Sequence, residues 1–179
     1  MSYKILICGL PGAGKTWLAE RLVKELDDCA WFNADKIREA ANDWDFSPEG
    51  RTRQAQRMYA LCDLENWNGH NALADVVAPT ESARADFEAD VTIWMDTIKE
   101  GRYEDTNKMF EPVKDANFVV THHMSDEEIK DFAQQVIDYA ENKPITEAYL
   151  DDDEWAQPFG DSASAVSYTH LTLPTILLV

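Results

Sequence analysis

Eight residues near the start of the chain carry its clearest chemistry. Gly9-Leu10-Pro11-Gly12-Ala13-Gly14-Lys15-Thr16 fits the pattern G-x-x-x-x-G-K-[ST]. In such a loop the glycines let successive backbone N–H groups turn inward around phosphate oxygens. The N-terminus of the helix that follows adds partial positive charge. The pattern assigns Lys15 to the β- and γ-phosphates of a nucleotide and the Thr16 hydroxyl to Mg²⁺. The loop therefore predicts binding of ATP with Mg²⁺. By itself it names no second substrate.

A second group of residues narrows the chemistry. Asp35-Lys36-Ile37-Arg38 follows the strand-like segment Ala30-Trp31-Phe32-Asn33. Ligands of α/β sheets bind beyond the carboxyl ends of the strands. A carboxylate placed there suits a metal ligand, or the base that orients an attacking hydroxyl. Lys15 and Asp35 are thus the candidate catalytic pair. Arg38, one turn later, can fork onto an anionic acceptor. Farther on, Phe46 can stack on a base, Arg51 can hold a second anionic group, and Gln54 shares a helix face with Arg51. Taken singly, the arginines read rather as solvated surface charges and Phe46 as core. Taken together beside a phosphate loop, they read as an acceptor site.

The order and spacing of these residues resemble the adenylylsulfate kinases. GLPGAGKT, then a D-x-I-R strand end, then F-S-x-x-x-R opening a helix carry the likeness, which spans residues 3–121. The resemblance implies transfer of the γ-phosphoryl group of ATP to the 3′-hydroxyl of adenosine 5′-phosphosulfate (APS). It implies Mg²⁺, a P-loop nucleoside-kinase fold and a homodimer. Carried over position by position, Asp35 lies near the reacting hydroxyl, and Arg38 and Arg51 contact the phosphosulfate. Phe46 packs against the adenine, and Arg57 takes a further arginine position on the same helix. The chain also departs from the family. Phe32-Asn33-Ala34-Asp35 stands where the family has Leu-Asp-Gly-Asp, so one carboxylate is lost. Gln54 replaces an asparagine, and Val77-Ala78-Pro79 replaces Ile-Ser-Pro. The family's lid gives way to Lys99–Pro112, which keeps Lys99, Arg102 and Lys108 to close over phosphates. Other readings remain open: a kinase of another small hydroxyl compound or of a polynucleotide end, and a nucleotide-binding module without transfer.

These residues need a frame. Lys4–Cys8, Ala30–Asn33, Ala72–Ala78, Val91–Met95 and Asn117–Thr121 are short apolar runs that read as buried strands. Between them, Leu18, Leu22 and Leu26 recur at helical spacing, as do Ile129, Phe132, Val136 and Ile137. Ser47-Pro48 opens a helix that runs to Trp67, where Gly69 stops it; Thr80 caps a short one, and Ser125 with Glu128 makes a capping box. The alternation predicts an α/β fold of the P-loop NTPase class, a three-layer αβα sandwich around a mostly parallel five-stranded sheet. Residues 98–116 read as an irregular, lid-like loop.

Residues 1–142 are thus the expected kinase domain, and 143–165 an acidic, flexible tail. Val166–Thr175 carries no charge and resembles the translation of a sequencing adapter, so 166–179 is expected to be non-native.

With 45% hydrophobic residues over 179 positions, the chain can bury a real core. Its formal charge of −18 repels a phosphate backbone, which weighs against nucleic-acid partners and leaves a small anionic acceptor held by local cations. Cys8, Cys29 and Cys62 form no CxxC pair and read as buried thiols in a reducing compartment. No signal-peptide or membrane-spanning pattern is present, so a cytoplasmic protein is expected. The histidines lack cysteine partners and read as structural, and the six tryptophans read as packing.

Overall fold

The computed structural model describes residues 2–142. The expected acidic tail and the adapter-like ending lie outside the described residues. Five strands form one sheet: β1 (Lys4–Gly9), β2 (Cys29–Asn33), β3 (Asn71–Asp75), β4 (Val91–Met95) and β5 (Phe118–Val120). Their order is β2-β3-β1-β4-β5, and every pairing is parallel, where a mostly parallel sheet was expected.

Six helices join them: α1 (Lys15–Glu25), α2 (Ala34–Ala41), α3 (Pro48–Trp67), α4 (Glu81–Ala85), α5 (Glu104–Met109) and α6 (Asp126–Asn142). The side chains of β1 alternate. Ile5 and Ile7 pack with Leu18 and Leu22 of α1 and with Ile129, Phe132 and Val136 of α6. Leu6 and Cys8 pack with Met58 and Cys62 of α3 and with Phe87. That two-sided burial explains the unbroken apolar run of β1 and makes three layers. Burying each of the fully covered leucines contributes about 2 kcal/mol.

The helix starts follow the local chemistry. The Ser47 hydroxyl accepts from Gly50 N at the head of α3, with Pro48 at the first helical position. Thr80 does the same for α4, accepting from Ala83 N. Ser125 and Glu128 close a reciprocal box, Ser125 N donating to Glu128 Oε2 at 2.7 Å and Glu128 N to Ser125 Oγ at 3.3 Å. Such a cap stabilises a helix by about 1 kcal/mol.

Three expectations are corrected. β3 ends at Asp75, not Ala78. Its partner β2 ends in register at Asn33 and turns into α2, and Ala78 turns the chain with φ 41°. Residues 98–116 contain α5, whose acidic first turn suits the helix dipole and whose Glu104 pairs with Lys108 at 2.7 Å. Six residues are too few to show an apolar period. Finally, not all tryptophans are packing, since Trp67 is 90% exposed and Trp44 52%.

Because all strands run the same way, their C-terminal ends share one edge of the sheet. Gly9, Asn33, Asp75 and Met95 are the last residues of β1, β2, β3 and β4. That edge positions the site.

Candidate functional site

The loop between β1 and α1 folds as its glycines allow. Gly9 has φ 148°, and a Cβ there would meet the Met95 carbonyl oxygen at 2.7 Å, so β4 passes too close for any side chain. Gly14 caps α1 in the left-handed region at φ 92°. Between them Ala13 N donates to Leu10 O at 3.1 Å, and the Thr97 hydroxyl pins Ala13 O from the β4 side. Leu10 and Ala13 are buried, Pro11 is half-buried and Gly12 is exposed. Lys15 Nζ lies along the loop, donating to Gly9 O at 3.0 Å and Leu10 O at 2.9 Å. Burial pushes its ammonium down from the ordinary lysine value, while the Asp75 and Asp35 charges push it up. Asp35 is exposed in the first turn of α2, and its charge acts in the same upward direction on Lys15.

The residue that the sequence reading missed is Asp75. It is 2% exposed at the end of β3, directly in register with Asn33 of β2. The Thr16 hydroxyl donates to its Oδ2 at 2.6 Å. Asn33 Nδ2 donates to Oδ1 at 3.1 Å and to Oδ2 at 2.9 Å, and Trp31 Nε1 donates to Oδ1 at 3.2 Å. Burial raises the carboxyl above its usual range; the donated hydrogen bonds and the Lys15 charge pull it back. A hydroxyl and a carboxylate side by side are the hard oxygen ligands that Mg²⁺ takes at a nucleotide site, which draws only one or two carboxylates from the protein. Thr16 and Asp75 therefore fit that ion. No group of three or more His, Cys, Asp or Glu side chains suited to a metal occurs among the described residues. The signal was present in the sequence: an apolar run, Ala72-Leu73-Ala74, ends on a lone carboxylate. Reading that strand through to Ala78 placed Asp75 mid-strand and hid it.

The residues expected at an acceptor site, Arg38, Phe46 and Arg51, lie close to one another. Arg38 is buried, and its Nη1 donates to Asp43 O at 3.0 Å and Asp45 O at 3.1 Å. Its guanidinium lies 4.6 Å from the centre of the Phe46 ring, and that of Arg51 lies 6.0 Å from the same ring. Phe46 is 54% exposed, which settles its alternative reading as core. Arg51 donates to Phe46 O at 2.9 Å and pairs with Asp105 of α5 at 2.8 Å. Gln54 is buried and donates to Ala34 O, tying α3 to the start of α2. Asp43, which sequence reading also missed, pairs with Arg53 at 2.8 Å and Arg57 at 3.0 Å. Those two arginines hold its carboxyl well below the usual range.

A cavity of about 240 Å³ lies between the phosphate loop and residues 94–112, lined by Leu10, Trp94, Asp96, Lys99 and Phe110 among others. A larger groove of about 380 Å³, between α1 and α6, contains none of these candidate residues.

The AAA domain family matches residues 5–139. The chain belongs to that family. Solved structures place this AAA domain within the P-loop kinase fold. The APS kinase CysC of Mycobacterium tuberculosis, in complex with AMPPNP and APS, superposes with a TM-score of 0.60 at 21% identity over 78% of this chain and 98% of that one. The shikimate kinase of Acinetobacter baumannii, in complex with shikimate, gives 0.51 at 18% identity over 81% and 96%. A gluconokinase of Sinorhizobium meliloti gives 0.57 at 13% identity over 78% and 94%. A comparison with curated proteins gives no match. The AAA domain thus shares its fold with kinases of chemically different acceptors.

Proposed function

We propose that the protein is an ATP-dependent phosphotransferase acting on a hydroxyl of a small anionic acceptor, with APS the first candidate. The observation that carries this reading is the shared edge of the sheet. There the phosphate loop, the Thr16–Asp75 pair and the exposed Asp35 meet, with Arg38, Phe46 and Arg51 one helix away. The fold is one that kinases use, and its APS kinase neighbour was solved with AMPPNP and APS.

Each residue has a distinct task in this reading. The backbone of Gly9–Gly14 and the ammonium of Lys15 cradle the β- and γ-phosphates, so positive charge is in place before the transition state forms. Thr16 and Asp75 would hold a Mg²⁺ ion, which when bound would neutralise charge on the phosphate oxygens. Asp35 accepts the proton of the attacking hydroxyl or orients it. Arg38 and Arg51 bind the acceptor's anionic group, and Phe46 packs against its ring system. Direct in-line transfer needs only this positioning and electrostatics, so Ala78 in place of the family's serine leaves the chemistry intact. The unpaired thiols suit a reducing, cytoplasmic setting. Among the described residues no helix is long and apolar enough to cross a membrane.

One observation favours a second reading, a kinase of a less charged hydroxy acid or polyol. Asp105 already occupies Arg51, and two backbone carbonyls already occupy Arg38. ADP release with ATP and Mg²⁺, measured across APS, shikimate, gluconate and neutral sugars, separates the two. APS preference supports the first reading. Preference for a hydroxy acid or sugar supports the second. ADP release independent of any acceptor overturns both.

A further inference from the structure

The Thr16–Asp75 pair is held from behind by two residues of β2. Trp31 and Asn33 are two positions apart on that strand and so project to one face. Asn33 stands directly opposite Asp75 in register, and Trp31 lies one pleat back, opposite Leu73. A carboxylate is an sp³–sp² rotor with a broad torsional preference, so a lone Asp at a strand end has no fixed plane. Here both oxygens have donors. Trp31 Nε1 at 3.2 Å and Asn33 Nδ2 at 3.1 Å take Oδ1, while Thr16 at 2.6 Å and Asn33 at 2.9 Å take Oδ2. Asn33 also donates to Thr16 Oγ1 at 3.0 Å, so one amide aligns both candidate metal ligands. The same asparagine is itself fixed, because its Oδ1 caps α2 by accepting from Lys36 N at 3.0 Å. The Trp31 ring is held too: it packs on the α1–α6 core, and the Lys36 ammonium sits 5.1 Å from its centre.

We propose that Trp31 and Asn33 are positioning residues. They lock the plane of the Asp75 carboxylate so that one oxygen stays beside the Thr16 hydroxyl, which sets how strongly Mg²⁺ couples to the bound nucleotide. Asn33 supplies the aligning amide and Trp31 the clamp on the far oxygen. An amide is the required group at position 33, since a carboxylate there would face Asp75 at about hydrogen-bond distance and repel it. This inference rests on the phosphotransferase reading for the identity of the metal, but not on the acceptor.

The test is ATP binding by titration calorimetry on the full chain, with Mg²⁺ and with EDTA. The wild type is expected to bind ATP more tightly with Mg²⁺. Trp31→Phe keeps the ring and removes only the N–H. It should reduce that Mg²⁺-dependent gain about ten-fold, the effect of one hydrogen bond to a charged group. Its affinity for ATP in EDTA should be unchanged. In an Asp75→Asn background Trp31→Phe should do nothing further, because the two act as a unit. An undiminished Mg²⁺ gain in Trp31→Phe overturns the proposal. So does an equal loss in EDTA, or an equal loss in the Asp75→Asn background. Should Trp31→Phe not fold, the Trp31 indole N–H resonance of ¹⁵N-labelled wild type replaces it. A shift when Mg²⁺ is added to the ATP complex supports the clamp, and no shift overturns it. If the wild type shows no Mg²⁺ gain at all, this inference and the metal assignment fall together. If the gain is present but no acceptor is phosphorylated, only the phosphotransferase reading falls.

Discussion

Asp75→Asn should produce a protein that folds as well as the wild type and transfers phosphate roughly 10²–10³ times more slowly. The structure lets both halves of that statement be worked out. Asp75 is 2% exposed and accepts from Thr16, Asn33 and Trp31. An asparagine amide can keep its oxygen toward Trp31 and Asn33 and turn its NH₂ toward Thr16, whose hydroxyl then accepts. Only the 2.9 Å contact from Asn33 to the second oxygen becomes donor against donor. Losing one such bond costs about 1 kcal/mol. Against this, the variant no longer keeps a charge in a buried place. Burial raises the Asp75 carboxyl above its unfolded value, so ionised Asp75 disfavours the folded state near neutrality. The two terms offset, and the thermal midpoint should move by only a few degrees, at about 2–4 °C per kcal/mol for a domain near this size. The wild type should gain on the variant as the pH falls through the raised pKa, because protonation relieves the buried charge. Transfer is different. Removing a preorganised charge from the reacting centre costs about 3–4 kcal/mol, or roughly 10²–10³ in rate. The assays are calorimetric unfolding and ADP release with Mg²⁺·ATP and the preferred acceptor. Wild-type turnover in Asp75→Asn would refute the metal-site assignment. A midpoint lowered by more than about 10 °C would show that Asp75 is structural.

Lys15→Ala should slow transfer by about 1–4 kcal/mol of transition-state stabilisation while leaving the midpoint nearly unchanged, since Lys15 Nζ is bonded only to two loop carbonyls; steady-state kinetics beside a melting curve checks both. If Arg51 binds the acceptor's anionic group, Arg51→Lys should raise the acceptor KM and leave the KM for ATP unchanged, because one ammonium cannot bind that group bidentately as a guanidinium fork does; parallel shifts in both KM values would place Arg51 elsewhere. His70 Nδ1 contacts Glu65 at 2.8 Å, and that bond, with the Asp28 charge behind it, raises the imidazole pKa. A raised histidine pKa stabilises the fold fully below the unfolded value of about 6.5 and loses that contribution as the pH rises through the folded value. His70→Gln should therefore lower the midpoint in acid and match the wild type in alkali; a difference of equal size at both ends would rule out the ion pair.

What was legible in the sequence was chemistry that acts over a few residues. The phosphate loop, the caps at Ser47, Thr80 and Ser125, and the apolar periods of α1 and α6 depend on neighbours within one or two turns. Each is where the residues place it. The acceptor cluster was legible in part. Arg38, Phe46, Arg51 and Gln54 could be named from type and spacing, but the pairing of Arg51 with Asp105 joins residues 54 positions apart. Local pattern is silent at that separation. Asp43 was overlooked for the same reason: its partners Arg53 and Arg57 lie 10 and 14 residues away, and only the turn between α2 and α3 brings them within reach.

The most instructive case is the pair at the ends of β2 and β3. Read along the chain, Asn33 looks like a lost carboxylate, because a charged residue is absent where the resemblance expects one. Read across the sheet, Asn33 stands in register with Asp75, 42 residues later, and donates to both of its oxygens. Two carboxylates in direct register at a buried strand end would repel, and one would take up a proton. One carboxylate and one amide can share the same space with every polar atom satisfied. A carboxylate therefore does stand beside Thr16, on the neighbouring strand. Strand order decides that outcome: β3 lies between β2 and β1, next to the strand that feeds the phosphate loop. A carboxylate ending β3 is thereby set beside Thr16 of the following helix, a placement that no spacing within a single segment of the chain encodes.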